Sequence, residues 1–280
     1  MDAMTEALSA LCGRPVERGS LTRPGQRRLR WVEAGEGPPV VLVAGAGETC
    51  LTWATVLPEL AAGHRVIAYD RAGTGMSDPA PALDLDGQVA DLAALLAQVG
   101  PSVVVGHSWG GLLARLAAAR EPVAGLVLLD PFDVKVLAGV PWPLRLAERA
   151  MGSLLVAAFR LGLFGRLAAG EARRLAEAAT ADPEVRDALV HAYLGCYTTR
   201  GQVAMIRDEA RIPAGDPPPP SPPVPTRILS AVRGSRDAAA ARIRADGCTD
   251  RCVHSAVTDA GHYIHHDRPE PVLAAVRELS

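Results

Sequence analysis

Ser108 sits in Gly106-His107-Ser108-Trp109-Gly110-Gly111, directly after the apolar run Val103-Val104-Val105 and directly before a stretch of small residues. That order suits a nucleophile. A serine on a sharp strand-to-helix turn is held in a strained backbone conformation that exposes its Oγ. The residues two before and two after it must be small, because strand and helix approach closely there, and Gly106 and Gly110 meet that need. The turn also aims the N-terminus of the following helix at the reaction centre, where it favours negative charge.

A serine hydroxyl needs a base, and the base needs a carboxylate to orient it. Of the seven histidines, His262 is the candidate base, because Asp259-Ala260-Gly261-His262 follows the last strand-like run and precedes the final helical stretch. His64, His191, His254, His265 and His266 read as surface or core residues. His265 and His266 adjoin His262 but lack a third ligand and helical i, i+4 spacing, so no metal site is expected. Asp237, in Gly234-Ser235-Arg236-Asp237, is the expected acid. The chain order Ser108, Asp237, His262 is the one found when such a triad is built on a parallel sheet. Asp130 is the alternative acid, since it ends the preceding strand at the same edge. The oxyanion needs two donors. The backbone N–H of Trp109 supplies one, and the N–H of Ala46, in Ala44-Gly45-Ala46-Gly47, is the expected second.

The elements that must hold these groups are legible as patterns. Residues 30–33 form a short strand pattern, and residues 40–44, 64–69, 103–105 and 123–129 are short apolar runs rich in Val, Leu and Ile. Such runs fit strands buried on both faces of a parallel sheet. Residues 86–99 carry Val89, Leu92, Leu95, Leu96 and Val99 at helical spacing, and residues 110–120 predict a small-residue helix. Strand–helix alternation of this kind predicts an α/β sheet with right-handed crossovers. From about residue 132 to 211 the pattern is helical throughout, with helices predicted over 144–164, 171–180 and 184–193. A proline tract follows, containing Pro217-Pro218-Pro219-Pro220, which can continue neither a helix nor a central strand. Strand patterns return at 226–232 and 252–257, with helices predicted over 237–245 and 271–279. The division that follows is a core of residues 1–131 and 224–280, a helical cap over 132–212, and a linker over 213–223.

Composition narrows the function. The chain has 280 residues, of which 29 are basic and 31 acidic, for a net charge of −2. No basic block is present, which argues against nucleic acid as a main partner. The five cysteines, Cys12, Cys50, Cys196, Cys248 and Cys252, are odd in number and scattered, so five reduced thiols in a cytoplasmic protein are expected. The N-terminus lacks a basic region followed by an apolar run, so no signal peptide is read there. The apolar stretch 151–159 is stopped by Arg160 and is too short to span a bilayer.

Four segments resemble the α/β-hydrolase superfamily, in its cap-bearing esterase, haloperoxidase-like and proline-iminopeptidase-like branch. They are Val41-Leu42-Val43-Ala44-Gly45-Ala46-Gly47 with Trp53, Asp70-Arg71-Ala72-Gly73-Thr74-Gly75-Met76-Ser77, Gly106 to Gly111, and Gly261-His262 followed by Arg268-Pro269-Glu270. The resemblance implies an eight-stranded, mostly parallel sheet flanked by helices, with the cap inserted after the sixth strand. It also implies a Ser-His-Asp triad and no cofactor. The sequence departs from the family at one point: the oxyanion loop commonly carries His-Gly, and here it carries Ala44-Gly45, so something else must brace the loop. Members that open epoxides or cleave carbon–halogen bonds carry an aspartate where this chain has Ser108, which disfavours both reactions.

The resulting expectation is a hydrolase that cleaves an ester, lactone or thioester through an acyl-enzyme. Acyl transfer, cyclisation or carbon–carbon cleavage would use the same residues, and a catalytically silent ligand receptor is the reading from a different class. Leu154, Leu155, Val156, Phe159, Leu161, Leu163, Phe164 and Leu167 form an apolar stretch punctuated by arginines. It would bury itself on the core, or line a pocket for a hydrophobic small-molecule substrate.

Overall fold

The computed structural model describes residues 3–80, 83–133, 154, 157, 164–196, 223–248 and 250–280. Its centre is an eight-stranded sheet in the order β1-β2-β4-β3-β5-β6-β7-β8. The strands are β1 (Val16–Thr22), β2 (Arg28–Ala34), β3 (Pro39–Val43), β4 (Arg65–Asp70), β5 (Val103–His107), β6 (Gly125–Leu129), β7 (Thr226–Val232) and β8 (Cys252–Thr258). β1 and β2 run antiparallel to their neighbours, and all pairings from β4 through β8 are parallel.

The expected apolar runs are the central strands. In β5 and β6 every residue is buried, and in β3 all but Pro39 are. Side chains alternate between two cores, as the strand pleat requires. Val40, Leu42, Val103, Val105, Val127 and Leu129 face one core, and Val41, Val43, Val104, Leu126 and Leu128 face the other. The second core is closed by α3 (Leu85–Val99) and α4 (Trp109–Ala117). α3 begins where the Asp84 carboxylate accepts from Gly87 N at 2.8 Å, an N-cap that satisfies an otherwise orphaned helix donor.

The first core is closed by elements from across the chain. These are α1 (Ala3–Cys12), a 3₁₀ turn over Cys50–Thr55, α2 (Leu57–Leu60) and two helices between β6 and β7, α5 (Phe164–Ala179) and α6 (Pro183–Cys196). Leu175, Ala176, Leu189 and Tyr193 join the same core as Leu8, Trp53 and Val105. Most of the expected helix over 144–164, the tract 213–222 and most of the apolar stretch 154–167 lie outside the described residues. Leu154 is exposed.

Several elements have no strong sequence pattern. β1 reads Val-Glu-Arg-Gly-Ser-Leu-Thr, an edge strand held by backbone pairing to β2, with Gly19 under the indole of Trp31. The cysteines are not all free thiols. Cys248 and Cys252 form a disulfide across the turn between α7 (Ser235–Asp246) and β8, their Cα atoms 5.1 Å apart. The chain reverses direction there, which brings together two residues whose spacing alone suggested nothing. Cys12, Cys50 and Cys196 are not in disulfides. No helix among the described residues is long and apolar enough to cross a membrane.

Strand register positions the site. Val43 pairs with Gly106, His107 with Leu129, and Leu129 with Leu229. The loops leaving β3, β5, β6 and β7 therefore emerge along one carboxyl edge, where open parallel sheets bind their ligands.

Candidate active site

Ser108 follows β5 with φ 50° and ψ −116°, left-handed backbone that is strained for a serine. The surrounding bonds impose it. Ser108 N donates to Leu129 O at 2.9 Å, while Ser108 O accepts from Gly111 N at 3.0 Å and Phe132 N at 2.9 Å. Two glycines make the turn possible. A Cβ on Gly106 would lie 2.6 Å from Gly110 O, and one on Gly110 would lie 2.1 Å from Val43 O. The elbow is thus wedged against the end of β3, next to residues 44–47. Trp109, first in α4, is fixed by its indole N–H to Gln88 Oε1 at 3.0 Å and by edge packing on Phe132. Neither Trp109 N nor Ala46 N donates a hydrogen bond to another described residue.

His262 leaves the loop after β8. Its Nδ1 lies 2.6 Å from Asp130 Oδ2, and its ring centroid is 4.7 Å from that of His107, the neighbour of Ser108. No hydrogen bond joins Ser108 Oγ to His262 Nε2 in this arrangement; such bonds commonly tighten only when substrate is present.

The carboxylate on His262 is therefore Asp130, and the preference for Asp237 is corrected. Asp130 follows β6, the strand beside β5, and φ 41° turns its side chain across the sheet edge. Asp237 lies in the first turn of α7, where its carboxylate folds back to accept from Arg233 N at 3.1 Å. Arg233 in turn pairs with Asp267. Asp130 is held from behind. Its Oδ1 accepts from Arg244 Nη1 at 2.5 Å and from Ala231 N at 3.3 Å, while Arg244 Nε also donates to Pro131 O. Burial pushes the Asp130 carboxyl up, but the His262 hydrogen bond and the Arg244 charge outweigh it and hold the group below its ordinary value. An ionised Asp130 can only accept, so the Nδ1 proton of His262 is committed to it and Nε2 carries the basic lone pair.

The loop after β3 has no histidine of its own and is braced by other side chains. Glu48 Oε2 accepts from Gly45 N at 2.6 Å, and Arg71 Nη2 donates to Gly45 O at 2.5 Å. Beyond His262, Ile264 and His265 are built into the core, while Tyr263 is exposed. His265 is buried, with its ring 4.6 Å from that of Trp53, and Thr52 Oγ1 lies 3.0 Å from Nε2 of both His265 and His266. Burial and the neighbouring histidines push His265 well below its ordinary value. A cavity of about 200 Å³ beside His262 is lined by Arg174, Arg233, Gly261, Tyr263 and His266 among others, a more polar wall than the apolar stretch suggested.

Arg244, Glu48 and the structural use of His107 were not signalled by any motif, and Arg71, though inside a family segment, carried no expected role. A charged residue inside an otherwise small or apolar segment was the available clue for Glu48 and His107.

Comparison with known proteins places this geometry in a family. The α/β-hydrolase family model matches residues 40–275. A bifunctional epoxide hydrolase 2 of Sus scrofa is 36% identical over 129 residues, 44% of this chain and 21% of that protein. A soluble epoxide hydrolase of Corynebacterium sp. (strain C12) is 34% identical over 125 residues, 43% of this chain and 44% of that protein. The matched stretch thus spans less than half the length of either relative. Among solved structures, a thermophilic esterase from Thermogutta terrifontis matches with a TM-score of 0.66 at 25% identity, covering 94% of this chain and 97% of that one. With the elbow, the parallel sheet and a family match over most of its length, the chain belongs to the α/β-hydrolase family.

Proposed function

We propose that the protein is a serine hydrolase that cleaves an ester, lactone or thioester of a hydrophobic small molecule through an acyl-enzyme. The supporting observation is that Ser108 stands in strained backbone at the elbow while the His262 imidazole, packed against the ring of the adjacent His107, is bonded to the partly buried Asp130 carboxylate. In this reading Ser108 Oγ attacks the acyl carbon and His262 Nε2 takes its proton. The tetrahedral oxyanion is met by the N–H groups of Trp109 and Ala46, each such donor contributing about 3–4 kcal/mol. His262 then protonates the departing oxygen or sulfur, and water, activated by the same imidazole, releases the acid. Asp130 stabilises the imidazolium that forms at each step.

The relatives include epoxide hydrolases. Ser108, where a carboxylate nucleophile would be needed, argues against epoxide opening here. The hydrophobic acyl portion rests on the apolar sequence between residues 154 and 167.

The test is turnover of p-nitrophenyl esters of increasing acyl length by the wild type and by Ser108→Ala. Loss of about 10⁴-fold or more in kcat is expected for the variant, together with a covalent fluorophosphonate adduct on Ser108 in the wild type. Turnover that survives unchanged in Ser108→Ala would overturn the reading.

A further inference from the structure

Three bonds run through His107, the residue before the elbow serine, and its partner Glu48. His107 Nδ1 lies 3.0 Å from Glu48 Oε2, and His107 Nε2 lies 2.9 Å from the carbonyl oxygen of His262. The same Glu48 Oε2 accepts from Gly45 N at 2.6 Å. His107 and Glu48 are both buried, at 1% and 7% exposure. A backbone carbonyl cannot donate, so Nε2 carries a proton; an ionised Glu48 can only accept, so beside it Nδ1 carries one as well. That makes His107 an imidazolium paired with a Glu48 carboxylate, within the core.

We propose that Glu48 and His107 are a positioning pair that holds the oxyanion loop and the His262 loop in fixed register about Ser108. The inference rests on the serine-hydrolase reading. The loop's own Ala44 has no side chain able to brace it, and the pair supplies the missing support from two directions. Glu48 draws Gly45 toward the elbow, and so positions the next amide, that of Ala46. His107 draws the main chain of His262 toward the same point. The bridge is continuous from residue 45 to residue 262 through two side chains, one of them covalently adjacent to the nucleophile.

The surroundings are consistent with the charge assignment. His107 faces Glu48, His262, Tyr263 and His265. Burial alone would favour neutral His107, but the Glu48 charge, its hydrogen bond and the His262 carbonyl raise it above the ordinary imidazole value. Burial raises Glu48 in its turn, and the His107 charge and the Gly45 N–H more than offset this. His265, edge-on to His107, goes the other way and stays neutral. The cluster thus holds a cation at His107 beside a neutral His265, and it leaves His262 to do the proton transfer.

Two measurements test the pair. Nitrogen NMR of histidine-labelled wild type reads the state of His107 directly. The expected result is two protonated ring nitrogens at pH 7.5 that become the neutral form in Glu48→Gln; a neutral His107 in the wild type overturns the proposal. Kinetics of two variants then separate positioning from bulk stability. Glu48→Leu removes the acceptor of Gly45 N and is expected to lower kcat by about 100-fold, the scale of a displaced oxyanion donor, with KM changed less than about threefold. Glu48→Gln keeps an oxygen for Gly45 N and is expected to retain kcat within about tenfold. A Glu48→Leu protein that folds, melts at a lower temperature and keeps its kcat at 25 °C would show a structural role only and overturn the proposal. If Glu48→Leu does not fold, the NMR result on the wild type decides. A wild type inactive on all esters but carrying the imidazolium would sink the ester reading and leave the bridge in place.

Discussion

At Asp130 one carboxylate answers three donors, with Oδ2 on His262 and Oδ1 shared by Arg244 and Ala231 N. Asp237, at a helix start, answers a single backbone amide among the described residues. The two aspartates are therefore separable by substitution. Asp130→Asn would present an amide to Nδ1, favour the wrong tautomer and lower kcat about 10⁴-fold with little change in fold. Asp237→Asn should stay within about threefold of wild-type kcat, since an amide oxygen still accepts from Arg233 N at comparable strength. Steady-state kinetics on one ester settle it, and the reverse ranking would return the acid to Asp237. Sequence order favoured Asp237 because the ordering rule specifies Ser, acid, His without saying after which strand the acid comes. Asp130 obeys the same order. Only the side-by-side placement of β5 and β6, with the turn at φ 41°, shows which carboxylate reaches His262.

Among the elements, α4 is the one that sequence specified most completely. Its glycines are demanded by backbone contacts, with a Cβ on Gly110 falling 2.1 Å from Val43 O. Gly110→Ala must push α4 off the end of β3. The expected cost is about 2–3 kcal/mol, read as a lower melting temperature, and kcat should fall because Trp109 N moves with the helix. Gly170 provides the contrast. It lies inside α5 with nothing within 4 Å of its would-be Cβ. Gly170→Ala should raise stability by about 0.5–1 kcal/mol, the ordinary helix preference for alanine. Differential scanning calorimetry of the two variants checks both signs, and equal shifts would contradict the close-approach argument. β1 and α1 were not legible in the same way. An edge strand with no apolar run is specified by its partner's backbone, and a short N-terminal helix by the core it covers.

For the whole molecule, buried ionisable groups couple stability to pH. Glu48 and Asp130 have folded values below their ordinary ones, so their contribution is full above the ordinary carboxylate range and is lost as pH falls. His107 is raised above 6.5, so its contribution is full below that value and is lost as pH rises through its folded value. Asp70, buried and raised to about 6, acts oppositely to Glu48, costing stability as pH climbs from its ordinary 3.8 toward 6. Above pH 7 the Asp70 effect is largely spent. The wild-type melting temperature should then decline with rising pH, and the decline should be flatter in Glu48→Gln, where His107 is neutral throughout. Identical slopes above pH 7 in the two proteins would mean that His107 carries no proton-linked stability.

Sequence by itself determined the parallel sheet, the elbow and the candidate base. Each depends on local chemistry: short apolar runs bury on two faces, glycines admit a close strand-to-helix turn, and a histidine can follow the last strand. Tertiary structure decided the partner of His262, the brace of the oxyanion loop and the Cys248–Cys252 disulfide. These are relations between residues far apart in the chain or on opposite sides of a turn, and spacing says nothing about which side chains a folded sheet edge will bring within a few ångströms.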